Sequence, residues 1–171
     1  MRVVSNTSPI SYLVIINQIN LLNQLFGEIS VPGMVQAELA SPKAPFAVRQ
    51  WIANPPEWLI VQLTALAHST DLDLLKIDAG ERAAILLAES LNADLILLDD
   101  LDARRLAANH GLALTGVLGI LDRAADRNVI DFAKTIGQLQ QTNFRTSKAI
   151  VQTLLEKHSI QSISRQNIEP E

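Results

Sequence analysis

The chain has no cysteine in 171 residues, which removes a disulfide framework, a thiolate zinc site and a cysteine nucleophile together. Aromatic residues make up only 4%, so a core must be built mostly from Leu, Ile, Val and Ala. No apolar run approaches the length of about 18 residues that a membrane-spanning helix needs. The N-terminus enters a strand-like run at Val3-Val4 without the basic flank and cleavable apolar core of a signal peptide, so a cytoplasmic protein is expected. Basic residues are also in deficit, 14 Lys+Arg against 18 Asp+Glu for a net charge of −4. That balance argues against a broad, sequence-independent nucleic-acid footprint. It still leaves room for a nuclease whose acidic metal site has a local basic rim. There is no Gly-rich phosphate loop of the dinucleotide or Walker type, and no serine in a Gly-x-Ser-x-Gly elbow. The three histidines, His68, His110 and His158, show no metal-binding spacing and read as surface or helix-end residues.

What remains is an ordinary globular composition, 48% hydrophobic and 19% charged, of a length that suits one domain. That domain is expected over 1–158, with a core at 1–127 and C-terminal helices at 128–158. From Ser159 the sequence turns polar and aperiodic, which predicts a loose tail over 159–171.

Short apolar runs alternate with helical patterns, which points to an α/β fold with a parallel sheet covered by helices. The central stretch is Ala93-Asp-Leu-Ile-Leu-Leu-Asp-Asp-Leu-Asp-Ala-Arg104. Leu95 to Leu98 is apolar on both faces, as a buried parallel strand is. Asp99, Asp100 and Asp102 follow at once, where the carboxyl ends of strands face a ligand crevice. Carboxylates crowded there need a counter-ion, and a divalent cation such as Mg²⁺ suits oxygen ligands.

Other polar residues can join this group. Arg2 to Ser5 reads as the first strand and Asn6-Thr7-Ser8-Pro9 as its exit, with Pro9 at the first helical position and Thr7 or Ser8 as the cap. Asn6 is either a turn residue bonding its own backbone or a site residue placed like Asp99 and Asp100. Ile10 to Phe26 reads as two short helices broken at 17–20. Glu28 to Val31 is a second strand, and Pro32 opens a helix in which Glu38 shares a face with Met34 and Val35. Helix edges are usually solvated, so Glu38 is either a surface carboxylate or a site residue. Phe46 to Ala53 reads as a helix with Trp51 packed inward, and Trp58 to Leu63 as a strand. The segment from there to Lys76 has no definite pattern.

Asp78-Ala-Gly-Glu81 has capping-box spacing ahead of a helix running to about Leu91. Glu81 also lies on the face of Ala84, Ile85 and Ala88. Capping is therefore assigned to Asp78 and site chemistry to Glu81. Ala103 to His110 reads as a helix with Arg104 and Arg105 exposed near its start. Gly111 closes it, Leu112 to Thr115 is the last strand, and Val117 to Arg127, 131–141 and 146–158 read as helices. Asn6, Glu38, Glu81 and Asp99/Asp100 together describe an oxygen-ligand site of the kind that activates water in phosphoryl hydrolysis.

Val-Val-Ser-Asn-Thr-Ser-Pro-Ile, Val-Pro-x-x-Val-x-x-Glu-Leu, Asp-x-Gly-Glu, Leu-Leu-Asp-Asp-x-x-Ala-Arg and Gly-Val-Leu-Gly, in that order over Val3 to Arg127, resemble a PIN domain. More narrowly they resemble the prokaryotic branch of predicted nucleic-acid-binding PIN proteins related to VapC-type toxins. The resemblance implies a three-layer α/β/α sandwich that cuts single-stranded RNA with Mg²⁺ or Mn²⁺ held by acids. By the resemblance, those ligands fall on Asn6, Glu38, Glu81 and Asp100, with Asp99 as the alternative to Asp100 and Asp102 as an outer helper. The hydroxyl beside the first ligand falls on Thr7 or Ser8, and Arg104 or Arg105 would steady the RNA backbone. Asn6 departs from the acid usual at the first position, so it would bring an oxygen but no charge. The resemblance further implies a toxin with a small antitoxin partner, and a homodimer. A non-catalytic RNA-binding or protein-interaction module is the alternative.

Overall fold

A computed structural model of the chain describes residues 1–63 and 73–166. The chain divides into two compact units, residues 1–117 and 118–171. The first unit holds five short strands: β1 (Val3–Ser5), β2 (Ile29–Pro32), β3 (Leu59–Gln62), β4 (Leu95–Leu97) and β5 (Leu114–Thr115). They form one sheet in the order β3-β2-β1-β4-β5, with every pairing parallel. The register places Val3, Val4 and Ser5 opposite Leu95, Ile96 and Leu97. Parallel strands buried on both faces read as continuous apolar runs, and Val3, Val4, Ile29, Val31, Ile96 and Leu97 are accordingly buried.

Helices flank this sheet, as a three-layer arrangement requires. They are α1 (Thr7–Ile15), α2 (Leu21–Phe26), α3 (Gly33–Ala40), α4 (Phe46–Ala53), α5 (Ala79–Ser90) and α6 (Leu101–Asn109). Val4, Ile96 and Leu98 pack with Ala84, Ile85 and Ala88 of α5 and Ala103 and Ala107 of α6 in one buried cluster. The small alanines let the helix backbones approach the sheet closely. Gly111, at φ +75°, turns the chain from α6 back toward β5, in a conformation that costs glycine little.

The strand order reverses between β1 and β4. From β1 the chain winds outward through β2 to β3, then returns to the other side of β1 for β4 and β5. Adjacent loops at such a switch point leave in opposite directions and open a crevice at the carboxyl ends of the strands. Asn6 follows β1, and its backbone N–H donates to Leu97 O at 3.1 Å, so the β1 and β4 exits lie side by side.

The second unit continues α7 (Val117–Asp126) into α8 (Phe132–Gln140) and α9 (Lys148–Gln166). Ile120, Leu121, Ala124, Phe132, Ile136, Leu139 and Val151 are buried there. Asp131 caps α8 by accepting from the Lys134 N–H at 2.9 Å. Among the described residues no helix is long and apolar enough to cross a membrane.

Three expectations need correction. Pro9 is the third residue of α1, which starts at Thr7. The first four helical N–H groups have no partner within the helix, so proline fits anywhere in that turn. Helix α9 runs through Gln166, beyond Ser159 where the tail is expected to loosen. Polar residues do not end a helix in the absence of Gly or Pro, and Ser159 satisfies its hydroxyl by donating to Leu155 O at 2.8 Å. Trp51 is half-buried and lies tilted against Trp58 at 6.1 Å between ring centroids. Most of the segment before Lys76 lies outside the described residues, which resume with a single 3₁₀ turn at Leu74–Lys76.

Candidate functional site

Each polar residue at the switch point is delivered by an element boundary. Asn6 ends β1 and is 3% exposed. Its side chain makes no cap bond to α1, which excludes the turn role in which it would bond its own backbone. The Oδ1 atom is buried with no hydrogen-bond partner among the described residues. An unsatisfied buried carbonyl costs about 1–3 kcal/mol, so this oxygen is a ready acceptor for a ligand.

Thr7, the next residue, donates its hydroxyl to Glu38 Oε2 in a short hydrogen bond. Glu38 lies in the last turn of α3 and is half-buried. Against its carboxylate lies the backbone of Gly80, so close that a Cβ on that glycine would overlap both Glu38 oxygens.

Glu81 follows at the third position of α5. One of its oxygens, Oε2, accepts from the Asp78 N–H at 3.3 Å, completing the capping-box pattern. Glu81 thus shares the capping of α5 with Asp78, so capping does not fall to Asp78 alone as the spacing suggests. A carboxylate has two oxygens, and only one is engaged. Burial, then the neighbouring Asp100 carboxylate, push the Glu81 pKa from 4.5 up to about 7; Asp78 and Glu38 add smaller repulsions, opposed by the Asp78 N–H. Those interactions place Glu38, Glu81 and Asp100 in one electrostatic group. Among the described residues, no Lys or Arg nitrogen forms an ion pair with any of the three.

The two aspartates after β4 divide. Asp100 caps α6, its Oδ1 accepting from the N–H groups of Asp102 at 2.9 Å and Ala103 at 3.0 Å. Asp99 instead accepts from the Val117 N–H at 2.8 Å, which ties the end of β4 to the start of α7. Burial pushes its pKa from 3.8 up to about 6, against the pull of that N–H and of Arg104. Asp99 Oδ2 is buried without a partner among the described residues. Gly116 provides the room, since a Cβ there would lie 2.5 Å from Asp99 Oδ1 and 2.9 Å from Leu98 O.

Arg104 is half-buried rather than exposed. Helical side chains lean toward the N-terminus, and its Nη1 reaches back to donate to Leu98 O at 2.8 Å. Arg105 is exposed and pairs with Asp102, Nη1 to Oδ1, at 3.3 Å. Ser8 is half-buried in α1, beside Thr7.

A second group carries no signal in the sequence. Asp122 and Asp126, one turn apart on α7, meet His158 of α9, and their ligand-type atoms lie within 4.8 Å of one another. Such a trio could hold a metal ion, but a lysine already serves it. Lys157 Nζ is 2.7 Å from Asp122 Oδ1 and 2.9 Å from Asp126 Oδ2. His158 Nε2 lies 2.7 Å from Asp122 Oδ1, and its ring packs on Phe132 at 4.6 Å. His158 is therefore buried, not a surface residue. No spacing announces it, because Asp122 is 36 residues away along the chain. His110 does end its helix as expected, with Nδ1 2.6 Å from Glu89 Oε1, whereas His68 lies outside the described residues.

No curated protein and no solved structure matches the chain. A family model described as a PIN domain matches residues 2–159, most of the sequence and every candidate site residue. Parallel sheet, flanking helices and match agree, and the chain belongs to the PIN domain family.

Proposed function

We propose that the chain is a metal-dependent ribonuclease of the PIN class, hydrolysing phosphodiesters of single-stranded RNA. PIN domains are generally dependent on a divalent metal. The observation that carries the reading is the group Glu38, Glu81 and Asp100 at the switch point, served by no cationic side chain among the described residues, beside the unpartnered Asn6 oxygen. These donors are hard oxygens, which fits Mg²⁺ or Mn²⁺. Glu38, Glu81 and Asp100 would hold the ion with Asn6 as a neutral ligand. A divalent cation would supply charge neutralisation and activation of water for attack on phosphorus.

The remaining residues have supporting roles. Thr7 orients Glu38, and Asp99 and Arg104 brace the β4 exit from behind. Asp102 holds Arg105 at the solvent face of α6, where a guanidinium suits an RNA phosphate. By likeness to VapC-type proteins, the chain would be the toxin of a toxin–antitoxin pair and a homodimer.

One observation favours a second reading. The amide of Asn6 leaves the site one negative charge short, which suits a non-catalytic RNA-binding or protein-interaction module. The two separate when single-stranded RNA is incubated with the protein in Mn²⁺, Mg²⁺ or EDTA, beside Glu81→Gln and Asn6→Asp. Metal-dependent cutting by the parent, abolished by Glu81→Gln, supports the nuclease. Cutting by Asn6→Asp alone would mean a silenced nuclease, and RNA binding without cutting by any variant would favour the module.

A further inference from the structure

Glycine is used in this chain for two different reasons. Gly27 and Gly111 have φ of +76° and +75° and nothing within 4 Å of a built Cβ, so they supply conformation. Gly80 has no positive φ and sits in the first turn of α5, where alanine is the better helix former. Local propensity therefore argues against glycine at position 80. The space around it argues for glycine, because a Cβ would overlap both carboxylate oxygens of Glu38 and lie 2.7 Å from its Cδ.

We infer that Gly80 is a positioning residue for the metal site: its missing side chain is the space in which the Glu38 carboxylate sits, with the Thr7 hydroxyl holding the same group by a hydrogen bond. The inference rests on reading Glu38 as a metal ligand. The atoms a methyl group would meet first belong to the far end of a flexible side chain. Glu38 would swing aside while the fold stays intact. Gly80→Ala should therefore separate two properties that usually fall together, keeping stability and losing the ion.

The test is a calorimetric titration of the full chain with Mn²⁺ alone, on the parent, Gly80→Ala, Glu38→Asp and the double variant, with melting curves in EDTA. In the parent background Gly80→Ala is expected to weaken Mn²⁺ binding about tenfold, as displaced supporting groups do. In the Glu38→Asp background, where the carboxylate is one methylene shorter and already withdrawn, the same change should cost about twofold or less. Metal-free melting of Gly80→Ala should match or exceed the parent. Equal affinity of Gly80→Ala and parent overturns the inference, as does an equal loss in both backgrounds. A metal-free melting temperature lower by more than roughly 4 °C overturns it too, because the fold rather than Glu38 would have yielded. If the parent binds no Mn²⁺, the metal site itself is refuted and the inference falls with it.

Discussion

Asp122 and Asp126 share one lysine, whereas Glu38, Glu81 and Asp100 share none among the described residues. Both groups bring ligand-type side chains together from separate elements. In the helical unit the charge is answered from within, and the hydrogen bond to Asp122 is the largest cause raising the Lys157 pKa. Around Glu38, Glu81 and Asp100 no Lys or Arg among the described residues answers it, and burial, then the Asp100 carboxylate, push the Glu81 carboxyl up to about 7. A count of metal-ligating residues does not separate these cases. The counter-ion does.

The largest effect expected from this contrast is on cleavage. Glu81→Gln should lower metal-dependent cutting of single-stranded RNA by about 100-fold or more, the scale of losing a group that stabilises the transition-state charge. His158→Gln should leave cutting close to the parent rate, and a comparable loss from both would erase the distinction between the two groups.

Asn6→Asp comes next. A fourth carboxylate in a group without a cation should destabilise the chain in EDTA by roughly 3 kcal/mol. It should also tighten Mn²⁺ binding, which calorimetry and melting with and without the ion would read. A variant unaffected in EDTA would show that position 6 lies outside the shared field.

Acidity sharpens the comparison further. The Glu81 pKa is raised from 4.5 to about 7, so the folded chain favours its protonated form. That stabilisation is complete below pH 4.5 and is lost as the pH rises through about 7. Asp99, raised from 3.8 to about 6, acts with the same sign over its lower window. Melting in EDTA should therefore decline across this range and flatten in Glu81→Gln. Mn²⁺ affinity should fall with each step below pH 7, by about tenfold per unit where one proton competes with the ion. A melting curve indifferent to Glu81→Gln would contradict the shared field.

The smallest effect is expected at the second group. Lys157→Met should cost about 1 kcal/mol, since partly exposed ion pairs contribute little. Mn²⁺ stoichiometry above the parent value would then show that the ammonium had been holding a cation's place.

Much of this architecture was legible in residues. The apolar strand at Leu95–Leu97, the break between α1 and α2, and the helix opened by Asp78 all follow from periodicity and end signals, which are local. The strand order is not local. Nothing in Val3 or Leu95 says that β1 and β4 are neighbours, yet that neighbourhood makes the crevice. The candidate site is written in the sequence as a set of residue types, but the hydrogen bonds of each residue are not. Asp99 and Asp100 are adjacent in sequence, and only the cap of α6 and the Val117 N–H assign them different tasks. The burial of His158 has no local signal for a related reason, because Phe132 and Asp122 are far away along the chain.

The carboxylates of Glu38, Glu81 and Asp100 share one habit. Glu38 Oε2 is held by Thr7, Glu81 Oε2 by the Asp78 N–H, and Asp100 Oδ1 by the first turn of α6. Each keeps a second oxygen outside its local bond. Rotamer freedom worth roughly 0.5–1.5 kcal/mol for each such side chain has therefore been surrendered during folding. An arriving cation would find each carboxylate already held at one oxygen, and the entropy of its capture would be dominated by released water.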